Sequence, residues 1–106
     1  MGRERLPARR RSLLLRVVYR GTHYHVRIGL YADGRLGELF SYGDKVGSDR
    51  RREMDDACVC VSVALQWGAD IHELAASMGR DGDDTPASAL GAVIDGAARA
   101  MKDTAE

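Results

Sequence analysis

Leu13-Leu14-Leu15-Arg16-Val17-Val18-Tyr19-Arg20-Gly21-Thr22-His23-Tyr24-His25-Val26-Arg27-Ile28-Gly29-Leu30 decides the fold. Leu13, Leu15, Val17 and Tyr19 alternate with Leu14, Arg16, Val18 and Arg20, the period of a half-buried strand. Tyr24, Val26, Ile28 and Leu30 alternate with His23, His25, Arg27 and Gly29 in the same way. Between them Arg20-Gly21 permits a two-residue turn, which makes the strands antiparallel neighbours. Downstream, Asp33-Gly34 is a strong hairpin signal, and Arg35 to Tyr42 supplies a third strand.

Beyond Tyr42 the period changes. Met54, Ala57, Cys58, Val61, Ala64 and Leu65 recur at three and four residues, predicting a helix from Ser48 or Asp49 to Trp67, ended by Gly68. Residues 57–65 are apolar nearly all round, which implies burial on more than one side. Asp70-Ile71-His72-Glu73 resembles a capping box that opens a short helix through Met78. Residues 80–84 read as a loop. Thr85-Pro86 then looks like the opening of a third helix, with an apolar stripe of Leu90, Val93, Ile94, Ala97 and Met101. The expectation is an α+β domain: a three-stranded antiparallel meander, then two to three helices packed on one sheet face in two layers.

A chain of 106 residues is one domain with enough length for a real core. Residues 1–11 lack periodicity and read as a basic flexible arm, residues 12–102 as the domain, and residues 103–106 as a fraying tail. No apolar run approaches the ~20 residues of a membrane span, and the start lacks the apolar stretch of a signal peptide. Two cysteines, two residues apart, fit a reducing cytosol better than a disulfide framework, so a cytoplasmic protein without membrane contact is expected. The formal net charge of zero hides a split. Residues 1–52 carry thirteen basic and five acidic side chains, and residues 53–106 carry three and eleven. Such asymmetry closes on itself, on a second copy or protein partner, or faces an anionic ligand.

Two groups of residues are candidates for that ligand. The loop Gly43-Asp44-Lys45-Val46-Gly47-Ser48-Asp49 leads from the third strand into the long helix. Gly43, Gly47 and Ser48 can let backbone amides converge at a helix start, with Lys45, Arg50 and Arg51 supplying positive charge, the ingredients of an anion or nucleotide site. The bland alternative is a plain connection whose Ser48 or Asp49 caps the helix. The second group is His23, His25, Arg16, Arg20 and Arg27 of the first hairpin, with Arg9, Arg10 and Arg11 of the arm, a basic surface suited to nucleic-acid phosphates. Its alternative is the wet face of an antiparallel sheet.

No metal site is expected, because His23 and His25 lack a third ligand nearby and are flanked by arginines. Cys58-Val59-Cys60 has neither redox nor zinc spacing, and both sulfurs read as small core groups. No catalytic constellation and no cofactor motif is present, so the expected role is binding rather than catalysis.

Glu38-Leu39-Phe40, then Gly43-x-Lys45-x-Gly47-Ser48, then Val63-Ala64-Leu65-Gln66-Trp67-Gly68-Ala69, resembles the TSCPD domain. That domain occurs at the C-terminal end of vitamin B12-dependent ribonucleotide reductases and as small stand-alone proteins. Gly34 to Phe40, Lys45 to Ser48 and Ser62 to Gly68 follow the family's order over residues 13–100. Where the namesake Thr-Ser-Cys-Pro-Asp segment would lie, this chain reads Thr85-Pro86-Ala87-Ser88 without cysteine. The resemblance implies an accessory domain near nucleotide chemistry, not the reductase enzyme, and carries no thiol or metal role here. The expected function is therefore a non-catalytic module contacting nucleotide or nucleic-acid phosphates. The alternative is a protein–protein module: a homodimer, a reductase partner, or a phage-encoded inhibitor of a host protein.

Overall fold

The computed structural model describes residues 2–104. Strands β1 (Ser12–Tyr19), β2 (Thr22–Leu30) and β3 (Leu36–Tyr42) are followed by helices α1 (Asp49–Gln66), α2 (Ile71–Ser77) and α3 (Ala89–Thr104). The sheet is antiparallel in the order β1-β2-β3, so the meander and the three helices stand as the alternation implied. Arg20 and Gly21 both take positive φ, 47° and 82°, the pair that a twisted two-residue hairpin demands.

One sheet face is dry. Leu13, Leu15, Val17 and Tyr19 share it with the fully buried Tyr24, Val26, Ile28 and Leu39. Val93, Ile94 and Ala97 of α3 are fully buried against this core. Gly96 lets α3 come close to β1: a Cβ there would meet a Val17 methyl at 2.7 Å. Met54, Val61 and Leu65 bring one side of α1 into the same core.

The adjoining side of α1 runs along the outer edge of β3. Gln66 Nε2 donates to the Gly37 carbonyl at 3.0 Å. The Leu39 amide donates to Ser62 Oγ at 2.9 Å, and that hydroxyl donates to the Leu39 carbonyl at 3.2 Å. Cys58 takes a backbone hydrogen bond from Ser41. Four residues of helix rise ~6 Å and two of strand ~6.6 Å, so positions 66, 62 and 58 stay in step with 37, 39 and 41. A helix thus seals an edge that a three-stranded sheet would otherwise leave unpaired.

Three local readings are corrected. Cys60 is exposed, with Val59 half exposed, so α1 is buried on one flank and not all round, and only Cys58 joins the core. The seal explains this: α1 lies beside the sheet rather than beneath it. The third helix starts at Ala89, with Ser88 Oγ accepting from the Gly91 amide, while Pro86 bridges Arg80 in the preceding loop. Thr85 instead bonds to Asp83, so the cap moves three residues on.

Residues 2–11 form no strand or helix, but they are tied down. The Glu4 amide donates to the Gln66 carbonyl at 2.9 Å, the Tyr31 hydroxyl donates to the Glu4 carbonyl, and Leu6 packs at Gly37. At the other end α3 runs through Thr104; the rest of the expected fraying tail, 105 and 106, lies outside the described residues, as does Met1 of the arm.

Candidate functional site

The second sheet face carries no helix. Register puts Leu14, Arg27 and Phe40 in one row across it, and Arg16, His25 and Tyr42 in the next. Val18 and His23 form a third. Arg16, His23, His25 and Arg27 are exposed, because the pleat sends every second residue of β1 and β2 away from the core. Leu14 is 78% exposed and Val18 54%. The Arg51 guanidinium stands over the Tyr42 ring at 5.2 Å, which extends the basic surface to the start of α1.

The face ends in a covered acid. Glu38 lies over Gly29 and accepts from Arg10 Nε at 2.6 Å and Arg10 Nη2 at 3.0 Å. That carboxylate holds the Arg10 guanidinium above its ordinary pKa. Arg10 is therefore spent on closing the sheet end, whereas Arg9 and Arg11 point to solvent. Arg20 turns away from the face: it stacks on Tyr19 at 5.1 Å and lies 3.6 Å from Asp81.

The glycine loop adjoins the same face at Tyr42. Gly43 packs on the His23 carbonyl, where a side chain would not fit. Lys45 to Ser48 form a turn closed by the Ser48 amide on the Lys45 carbonyl at 3.0 Å, with Gly47 at φ 85°. Ser48 caps α1, its hydroxyl accepting from the Arg51 amide at 3.2 Å. The Ser48 amide of the loop and the Arg51 amide of the first helical turn are thus occupied. Its arginines are engaged as well: Arg50 lies 3.9 Å from Asp44, and Arg51 bonds Asp55 at 3.2 Å. Asp44 is turned inward, accepting from the Tyr24 hydroxyl at 2.9 Å; burial first, and this acid second, raise the Tyr24 pKa. Lys45 is exposed beside the turn.

The structure therefore gathers Arg16, His23, His25 and Arg27 on one surface, with Arg51 at its rim, and leaves Arg20 elsewhere. Sequence reasoning anticipated a partly aromatic face through Tyr31, which is buried, and missed the two rings that supply it. Phe40 and Tyr42 join the face because β3 pairs with β2 in a register that sets them beside Arg27 and His25. Alternation along Arg35 to Tyr42 carried that signal. Among the described residues, no three His, Cys, Asp or Glu side chains converge as a metal site would require. Among the described residues, no helix is long and apolar enough to cross a membrane.

Comparison with known proteins adds an ancestry. The chain is 37% identical over 71 residues, 67% of its length, to a vitamin B12-dependent ribonucleotide reductase of Bradyrhizobium diazoefficiens. This chain resembles part of a ribonucleotide reductase. Reductases of Agrobacterium fabrum and Rhodopirellula baltica match at 34% over 71 residues and 39% over 70. The match takes in only 6% of the first two relatives and 7% of the third. No family model matches the chain, and no solved structure matches it.

Proposed function

We propose that this chain is a non-catalytic, TSCPD-type binding module that holds nucleotide or single-stranded nucleic-acid phosphates on its open sheet face. The observation that carries the reading is the face itself: Arg16, Arg27, His23 and His25 interleaved with Phe40 and Tyr42, its one carboxylate neutralised by Arg10. Arginines supply sequence-independent attraction to phosphate, and the exposed Tyr42 ring, with the half-buried Phe40 on the same face, supplies a stacking platform for unpaired bases. The similarity to a reductase region supports nucleotide chemistry as its setting. Lys45, exposed beside the turn, extends the surface to a phosphate at the start of α1.

Fluorescence anisotropy with labelled single-stranded DNA and RNA oligonucleotides across a salt series tests this. Affinity falls with salt, and the double variant Arg16→Ala/Arg27→Ala lowers the slope of log affinity against log salt by about 1.4, from ~0.7 per lost single-strand contact. Phe40→Ala or Tyr42→Ala weakens binding by about 1–3 kcal/mol per base stacked. Lys45→Ala isolates the loop. Absence of binding at low salt, or an unchanged slope in the double variant, refutes the proposal.

A further inference from the structure

The sheet's two edges are treated differently. That of β3 is sealed by α1, but no described residue bonds to the outer edge of β1. The two-residue turn makes Tyr19 and Thr22 a hydrogen-bonded pair, and the Leu30 amide bonds the Arg11 carbonyl, so odd-numbered residues of β1 bond to β2. Ser12, Leu14, Arg16 and Val18 therefore turn their amides and carbonyls outward. The devices that normally blunt an edge are scarce here. Ser12-Leu13-Leu14-Leu15-Arg16-Val17-Val18-Tyr19 has one charge, no proline, no glycine and no bulge.

Beside this edge lies a groove of about 600 Å³, walled by β1, α3 and the 81–86 loop. Its helical wall is narrow where Ala92, Gly96 and Ala100 recur every four residues, and Arg99 and Asp103 stand on it one turn apart.

We propose that the β1 edge pairs antiparallel with the same edge of a second copy of this chain, making one six-stranded sheet. With Leu15 on the two-fold axis, Leu14 faces the mate's Arg16, Ser12 faces its Val18, and within β1 no two arginines stand opposite each other. Charge complementarity selects this occupant. Helix α3 runs opposite to β1, with Leu90 beside Tyr19 and Gly96 on Val17. Two strand residues from Val17 to Leu15, ~6.6 Å, equal about four helix residues of ~6 Å, which puts the axis near residue 100. The axis then passes between Arg99 and Asp103, and each Arg99 meets the mate's Asp103. The mate's Arg11 stands opposite Tyr19, at the end where Asp81 lies 3.6 Å from Arg20. The same patch of each chain thus meets itself, in a self-complementary contact that sets opposite charges of the two α3 helices against each other. The candidate face becomes continuous across both copies.

Sedimentation velocity and light scattering on the full chain give the mass of two chains, falling towards one as salt rises. Leu14→Pro removes an outward amide that the monomer does not use, so it leaves the fold intact by circular dichroism while weakening association about tenfold or more, the cost of the lost strand bonds. In a Cys60→Ser background, Leu15→Cys oxidises to a cross-linked dimer and Leu13→Cys does not. A wild-type chain that stays a single copy at low salt overturns the proposal, even if it binds an extended peptide along β1. So does a Leu14→Pro chain that folds and dimerises like the wild type.

Discussion

Ser62→Ala strikes the bracket that closes β3. Ser62 is 6% exposed and Leu39 fully buried, so water cannot replace the lost hydroxyl. The substitution removes one acceptor at 2.9 Å and one donor at 3.2 Å, stranding both the amide and the carbonyl of Leu39. An unsatisfied buried group costs about 1–3 kcal/mol, and the cavity left by a single oxygen adds little, so a loss of about 2–3 kcal/mol is expected. For a domain of this size that corresponds to a fall in Tm of roughly 8–20 °C. Urea unfolding followed by circular dichroism reads the free energy, with the m-value unchanged. Ser77→Ala, which deletes an exposed hydroxyl bonded to the Glu73 carbonyl, serves as the control and shifts stability by less than about 0.5 kcal/mol. If Ser62→Ala melts with its control, the helix does not seal the edge through these bonds and the account of α1 fails.

Other outcomes follow from the same contacts. At pH 8 the exposed Cys60 reacts rapidly with a thiol reagent, while Cys58, pushed up to about 11 chiefly by burial, reacts only on unfolding; equal rates would refute the placement of α1. Gly29→Ala drives a methyl into the Glu38 side chain that covers it, costing about 1–3 kcal/mol by urea unfolding and freeing Arg10; a neutral result would show that Glu38 is not packed there.

Much of the fold was legible because its signals are local. Alternation through Leu13 to Leu30 sets which side chains share a face, Arg20-Gly21 and Asp33-Gly34 set the turns, and Ser48 and Asp70 announce two helix starts with their own side chains. Part of the candidate site was legible for the same reason, since Arg16, His23, His25 and Arg27 lie at alternate positions of one hairpin. Thr85-Pro86 misled because two cap-like residues precede a third, Ser88, whose hydroxyl reaches a helical amide.

By itself, the sequence determined periods, turns and charge: three strands, three helices, and a basic half followed by an acidic one. Only the tertiary structure decided which edge each helix serves and which flank of an apolar helix stays wet. It also decided that Phe40 and Tyr42 join the arginines, and that Arg10 and Arg20 are spent on Glu38 and Asp81. The reason is physical. A period is fixed by neighbours a few bonds away. The partner of a strand edge, a carboxylate or a core-facing flank is fixed by groups dozens of residues distant, which meet only when the whole chain closes its core.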